Sequence, residues 1–228
     1  MSNRYSLLPS ATKAPNYAVL LSMLILLIVA APLATGKGAM FIVEALFGLV
    51  LFAGAYSAAS RSGRSLLFFG LTALTLVSRW SALLWGHERF EYASAMITVV
   101  WIAFAITIVV KQLFQQAAVT TNMILGAIVA YLLAAVGFAF LYELLEFFQP
   151  GSFSGISGAT NARELGDPLL YFSLVSLTTV GYGDIVPVSG LARPVVVLEG
   201  VFGTLYLAVM IARLVGLHIT AGIPGKGK

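Results

Sequence analysis

Long apolar runs divide this chain. Six of them, at residues 17–33, 39–59, 66–85, 93–110, 124–147 and 195–217, approach or exceed the roughly 20 residues a helix needs to cross a bilayer. Polar, glycine- or proline-bearing breaks separate them, so each run reads as its own helix. A seventh apolar run, 168–180, is too short to cross and ends in a glycine-rich turn. It reads as a re-entrant segment, entering as a short helix and returning as irregular backbone. The expected fold class is an all-α integral membrane protein with six transmembrane helices plus one re-entrant helix and its loop.

Composition agrees with a lipid solvent. Hydrophobic residues make up 60% of the 228 residues and charged residues 10%, where a soluble domain carries roughly 25% charged. The net charge of +4 is spread singly between apolar runs, so no basic stripe exists to follow a nucleic-acid backbone. There is no cysteine, which excludes disulfides and thiolate chemistry. His87 and His218 stand far apart, without the spaced partners of a zinc site. No nucleophile–base set or phosphate loop is present, and Gly181-Tyr182-Gly183 does not fit a nucleotide fingerprint, so an enzyme is not expected.

With the N-terminus inside, the inner segments hold Arg4, Lys13, Arg61, Arg64, Lys111, Arg213, Lys226 and Lys228 and no acid. The outer segments hold Glu88, Glu91, Glu143, Glu146, Glu164, Asp167 and Asp184, together with Lys37, Arg89, Arg163 and Arg193. The basic inner loops set this orientation, and the short run then enters from outside. The first apolar run ends in small residues, as a cleavable leader does, but its length favours a retained helix. Cleavage would leave the orientation downstream unchanged.

The chemistry concentrates in Leu177-Thr178-Thr179-Val180-Gly181-Tyr182-Gly183-Asp184. Asp167 is placed to cap a helix over 168–178 and Pro168 to open it. The carbonyl end of that helix favours a nearby cation. Beyond it, Gly181 and Gly183 reach backbone angles closed to other residues. An alternation of ordinary and glycine-type conformations turns successive carbonyls toward one axis. Four such strands would stack rings of oxygen able to replace the water shell of a potassium ion, with the Thr179 hydroxyl adding an inner ring.

This segment resembles the TVGYG signature of the potassium-channel family, matched at Thr179, Val180, Gly181, Tyr182 and Gly183. Chance would place Val-Gly-Tyr-Gly-Asp in on the order of one in ten thousand chains of this length, so a random glycine turn is set aside. The resemblance covers about 124–217. It implies passive potassium-selective conduction through a homotetramer, with dehydrated K+ held by carbonyls at Thr179, Val180, Gly181 and Tyr182. Potassium is then the permeant ion, and no cofactor is expected. It further implies filter support from Thr178, Asp184, Tyr171 and Phe172, with the two aromatics wedging the filter from behind. Pro187 and Arg193 follow at family spacings. Gly203 falls where simple bacterial channels place a hinge glycine, with Gly200 nearby; close helix packing is the alternative for both. Some bacterial members carry a glutamate behind the filter where this chain has Val175. The Tyr171 hydroxyl is therefore expected to bond Asp184 instead.

The resemblance divides the chain into a cytoplasmic N-terminus (1–16), a four-helix sensor-like membrane domain (17–113), a linker (114–123), a pore domain (124–217) and a short cytoplasmic tail (218–228). Thr121 or Asn122 is expected to cap the helix after the linker, and 149–166 to form an exposed turret. Membrane lipids are the expected surroundings, in a prokaryotic inner membrane with both termini cytoplasmic. The fourth run contains no arginine or lysine, with Lys111 at its end. Each gating charge is worth about 2.3 kcal/mol per 100 mV, so steep voltage dependence is not expected. Glu199, inside the last run, is either a cation-attracting group lining the pathway or a protonated or hydrogen-bonded glutamate packed behind the re-entrant helix; its depth favours the second. Arg79 and Glu44 either pair or reach separately to the outer interface. A secondary transporter would show paired broken segments in two halves, and this chain has one. A non-conducting receptor or accessory subunit is the other alternative.

Overall fold

The computed structural model describes residues 17–33, 37–59, 65–85, 88–156 and 162–222. The charges Arg4, Lys13, Arg61, Arg64, Lys226 and Lys228, together with His87, lie outside the described residues, as do the N-terminus 1–16 and the end of the tail. The side chains of Lys37, Glu88, Arg163 and Glu164 are likewise not described.

The chain is mostly helical. Helix α1 spans Tyr17–Ala30 and runs into a single 3-10 turn, Ala31–Leu33. Then follow α2 (Lys37–Ala59), α3 (Ser65–Trp85), α4 (Glu88–Gln115), α5 (Thr121–Phe148), strand β1 (Phe153–Ser154), α6 (Ala162–Leu177), strand β2 (Val186–Pro187) and α7 (Ala192–Gly222). Among the described residues, four helices are long and apolar enough to cross a membrane: Leu66–Trp85, Arg89–Gln115, Thr121–Phe148 and Ala192–Ile219. Tyr17–Leu33, Met40–Tyr56 and Leu165–Leu177 are shorter apolar helices. The α-helical part of α1 reaches only ~21 Å of the ~30 Å hydrocarbon core. It stops one residue short of the Ala31-Pro32 step, where proline disfavours helix in the residue before it.

Several boundaries differ from the sequence expectation. Helix α4 continues to Gln115, so the linker expected over 114–123 shrinks to 116–120. Burial extends the helix: Leu113 is buried, and buried Gln112 accepts a 2.6 Å hydrogen bond from the Tyr17 hydroxyl. The cap of α5 is Thr120, whose side chain accepts from the Met123 amide, rather than Thr121 or Asn122. Asn122 instead accepts from the Tyr17 amide at 3.2 Å. Helix α6 starts at Ala162, which puts Pro168 inside it and removes Asp167 from the cap. Leu165, in the added turn, is buried against Tyr142 and Leu169, so tertiary burial carries the helix back past the proline.

Helix α5 is the scaffold. More than half of its apolar stretch is buried within the chain, 56%, against 22% for α7. It packs against α1, α4, α6 and α7, and one core cluster joins side chains of α1 through α5 to Met210 of α7. Gly126 lets Tyr17 lie on its surface, since a Cβ there would come within 2.9 Å of the Tyr17 ring. Trp101 of α4 stacks on Phe68 at 5.3 Å and donates its indole N–H to Thr72 at 2.8 Å, both on α3.

Arg79 and Glu44 do pair. The Arg79 guanidinium donates to both carboxylate oxygens, at 2.8 and 2.5 Å, and lies over the rings of Phe47 and Phe140. This fork joins α3 to α2 and rests on α5. At the other end, Arg213 of α7 donates to the carbonyls of Leu113, Phe114 and Gln116, closing the end of α4.

The Trp101 contact sets a size limit at Gly54 of α2, where a Cβ would approach the ring to 2.8 Å, whereas Gly70 has nothing within 4 Å. Gly54→Val is expected to destabilise the protein by ~1–3 kcal/mol and Gly70→Ala to leave it unchanged or slightly more stable. Thermal unfolding in detergent measures both.

Candidate functional site

The end of helix α6 is fully hydrogen-bonded. A helix leaves its last four carbonyls without intrahelical partners. Here the Leu174 carbonyl accepts from the Thr178 amide at 3.1 Å and the Thr178 hydroxyl at 2.6 Å. The Ser176 carbonyl accepts from the Thr179 amide and the Val175 carbonyl from the Val180 amide, each at 3.0 Å. The Leu177 carbonyl accepts from the Tyr131 hydroxyl of α5 at 2.9 Å. The crossed pair of bonds from residues 179 and 180 is a Schellman motif, which needs a left-handed residue just past the helix. That residue is Thr179, with φ of +61°. A β-branched residue in this region is strained by about 1–3 kcal/mol.

Left-handed backbone recurs at every second residue beyond. Gly181 has φ of +59° and Gly183 of +79°, with Val180 and Tyr182 between them in ordinary conformations. The whole stretch Thr178–Asp184 is exposed on the surface of the single chain, Tyr182 at 71%. The alternation expected at the two glycines is thus present and begins earlier, at a threonine.

The return path is pinned on both sides. Strand β2 pairs antiparallel with β1, Phe153 opposite Pro187 and Ser154 opposite Val186. The Ser152 carbonyl accepts from the amides of Val188 and Ser189. Glu146 organises the connecting loop, its carboxylate accepting from the amides of Gly151 at 2.6 Å and Phe153 at 3.2 Å. At Gly155, φ +91°, an added Cβ would collide with the Asp184 carbonyl. The loop expected as an exposed turret is therefore partly a clamp: Ser152 and Phe153 are buried, because their backbone pairs with the chain leaving the site.

The two aromatics expected behind the segment part company. Phe172 is buried with Tyr142 and Phe153, the three rings 5.1–5.5 Å apart. Tyr171 is 39% exposed on the single chain and donates its hydroxyl to Asp184 at 2.7 Å, the bond expected from sequence. That hydroxyl, with the Ile185 amide, holds the Asp184 carboxyl below the usual carboxylate range. Arg193 reaches the Pro187 carbonyl at 3.4 Å. Gly203 sits against the end of α6, where a Cβ would strike the Leu177 carbonyl; Gly200 faces open space. Glu199 has no exposed surface. Its carboxyl oxygens lie 2.5 Å from the hydroxyls of Tyr142 on α5 and Ser173 on α6.

Sequence reasoning missed Tyr131, Tyr142, Ser173 and Glu146. Tyr131 and Tyr142 stand eleven residues apart, three helical turns, so one face of α5 presents both to α6. Ser173 was visible as a polar residue in an apolar run. Glu146 gave no signal, since its partners are backbone amides.

Comparison with known proteins locates the same unit. Residues 119–218 match a family described as "Ion channel", a segment that starts beside the Thr120 cap and ends near the end of α7. A stretch of 85 residues is 35% identical to Protein LctB of Geobacillus stearothermophilus, covering 35% of this chain and 60% of that one. A stretch of 87 residues is 33% identical to Protein LctB of Bacillus caldotenax, covering 37% and 64%. The chain thus spans less than two thirds of the length of these curated relatives. No solved structure matches it. The family match supports an ion-channel family for α5 through α7, and with the apolar helices it supports ion transport by a membrane protein.

Two outcomes follow from this geometry. Tyr171→Phe is expected to raise the Asp184 carboxyl toward its ordinary value. Because the depressed carboxyl contributes stability above its unfolded value and loses it as pH falls, the acid unfolding midpoint should move to higher pH; acid titration of thermal stability measures this. Gly203→Ala is expected to destabilise the protein by ~1–3 kcal/mol, against no loss for Gly200→Ala in the same thermal assay.

Proposed function

We propose that the chain is one subunit of a potassium-selective channel, in which four copies of Thr179–Gly183 surround one axis. The observation that carries this reading is the left-handed backbone at Thr179, Gly181 and Gly183, alternating with ordinary residues beyond the end of the short helix α6. That alternation turns successive carbonyls to one side, which is the arrangement that replaces the hydration shell of a desolvated cation. The exposure of the strip on a single chain favours an assembly, since one strand lines one wall and closed rings need symmetry-related copies. Helix α7 adds to this with an apolar face that includes exposed Val197, Leu198, Val201 and Leu205. In this reading K+ passes through sites at Thr179, Val180, Gly181 and Tyr182. Thr178, Tyr171, Phe172 and Asp184 support them, and flow follows the electrochemical gradient. All six long apolar runs cross the membrane, α1 and α2 included, with both termini on the inner side.

The fourth helix adds a negative statement about control. Between Arg89 and Lys111 it holds no basic residue, so few charges move in the membrane field.

The test is the reversal potential of protein reconstituted in liposomes under opposed potassium and sodium gradients. The expected value lies near the potassium equilibrium potential and shifts toward zero in Gly181→Ala. Open probability in the same recordings should vary little with voltage. A current carried equally by both ions, or none, would overturn the reading in favour of a non-conducting subunit.

A further inference from the structure

Glu199 presents a problem of counting protons. Three short oxygen–oxygen contacts meet around it. The Tyr142 hydroxyl lies 2.5 Å from one carboxyl oxygen. The Ser173 hydroxyl lies 2.5 Å from the other, and also 2.8 Å from the Ala135 carbonyl. Each contact needs one proton. Tyr142 and Ser173 supply one apiece, and a backbone carbonyl supplies none. The third proton therefore belongs to the carboxyl. Ser173 then donates to Ala135, Glu199 donates to Ser173, and Tyr142 donates to Glu199.

The surroundings agree. Glu199 is fully buried, and a bare carboxylate there would need a cation. None of its partners is one. From α5 it faces Tyr142 and from α6 Ser173, and neither of these hydrogen-bond partners is a lysine, arginine or histidine. The described ion pair, Arg79 with Glu44, joins other helices.

We infer that Glu199 works as a neutral carboxylic acid, a positioning residue whose single proton holds α6 between α5 and α7 and so keeps the segment beyond α6 in its conducting form. Ser173 lies one helical turn before Leu177, whose carbonyl is itself gripped by Tyr131. Loss of the proton leaves three contacts with two protons and an unpaired charge in a dry site. Because the native brace needs a proton that a glutamate in an unfolded chain does not hold at neutral pH, both the brace and stability weaken as that proton is lost with rising pH. This makes the assembly self-limiting toward alkaline pH, independently of voltage. The inference rests on the channel reading for its functional consequence, and on the geometry alone for the protonation.

The decisive variant is Glu199→Gln. Its amide donates to Ser173 and its carbonyl accepts from Tyr142, so it reproduces all three contacts with nothing to titrate. Liposome potassium flux, thermal midpoint and the infrared carboxylic-acid C=O band would be measured for wild type and Glu199→Gln from mildly acidic to alkaline pH. The expected wild-type flux falls about tenfold on the alkaline side, with a parallel fall in thermal midpoint. Glu199→Gln keeps the acidic-side flux throughout. The wild-type infrared spectrum carries an acid band at neutral pH that Glu199→Gln lacks and that disappears on alkalinisation. Parallel decline of both proteins, or no acid band separating them at neutral pH, would overturn the proposal. So would a Glu199→Gln chain that does not fold, because the amide matches the neutral acid contact for contact. If neither protein passes potassium at any pH, the channel reading fails, and the infrared band with the thermal profile still decides the protonation.

Discussion

A helix leaves its last carbonyls without intrahelical partners, and wherever water is kept from them each must find a donor from the protein. The end of α6 meets that demand with Thr178, Thr179, Val180 and Tyr131. The solution has a geometric cost. Closing the turn requires a left-handed residue, and threonine occupies the place where glycine is usual. Once Thr179 is left-handed, Gly181 and Gly183 continue the alternation without further strain on a side chain. The proposed filter is thus an extension of the way its helix terminates.

Everything packed against that end preserves it. Helix α5 brings Tyr131 and Tyr142 on one face, and α7 approaches through Gly203 closely enough to touch the Leu177 carbonyl. Behind the segment, Tyr142, Phe153 and Phe172 form a small aromatic core separate from the larger one shared by α1 to α5. Beyond it, the β1–β2 pair and the Asp184–Tyr171 bond hold the exit. Rigid backing on three sides suits a strained backbone, which persists only where its surroundings over-determine it.

The first four helices are joined to this unit through polar anchors at both ends. Arg79 and Glu44 meet over rings of α2 and α5, while Arg213 bonds the last carbonyls of α4. Tyr17 fixes α1 to the elbow between α4 and α5. These contacts tie the end of α7 mechanically to α4, although α4 carries few charges on which a field could act.

Apolar runs, glycine positions and the inventory of charges are local properties, and the chain by itself determined them. From these come the helices, the short apolar helix before the glycine-rich turn, the left-handed positions at Gly181 and Gly183 and the resemblance carried by residues 179–183. The partner of Asp184 was also within reach, because Val175 removed the alternative and left Tyr171 nearby. Helix ends were not: α6 runs back past Pro168, and α4 past 110, because Leu165 and Leu113 find buried places that propensity does not register. The left-handed Thr179, the clamp made by Glu146, the choice of pairing for Arg79 and the three-oxygen cluster at Glu199 were decided only by tertiary structure. The reason is common to all of them. A buried donor, acceptor or charge must be satisfied by whichever group folding brings beside it. For these residues that group is a backbone carbonyl or amide, or a hydroxyl or, for Arg79, the Glu44 carboxylate on another helix, and the spacing of residues along the chain does not say which of them folding brings together.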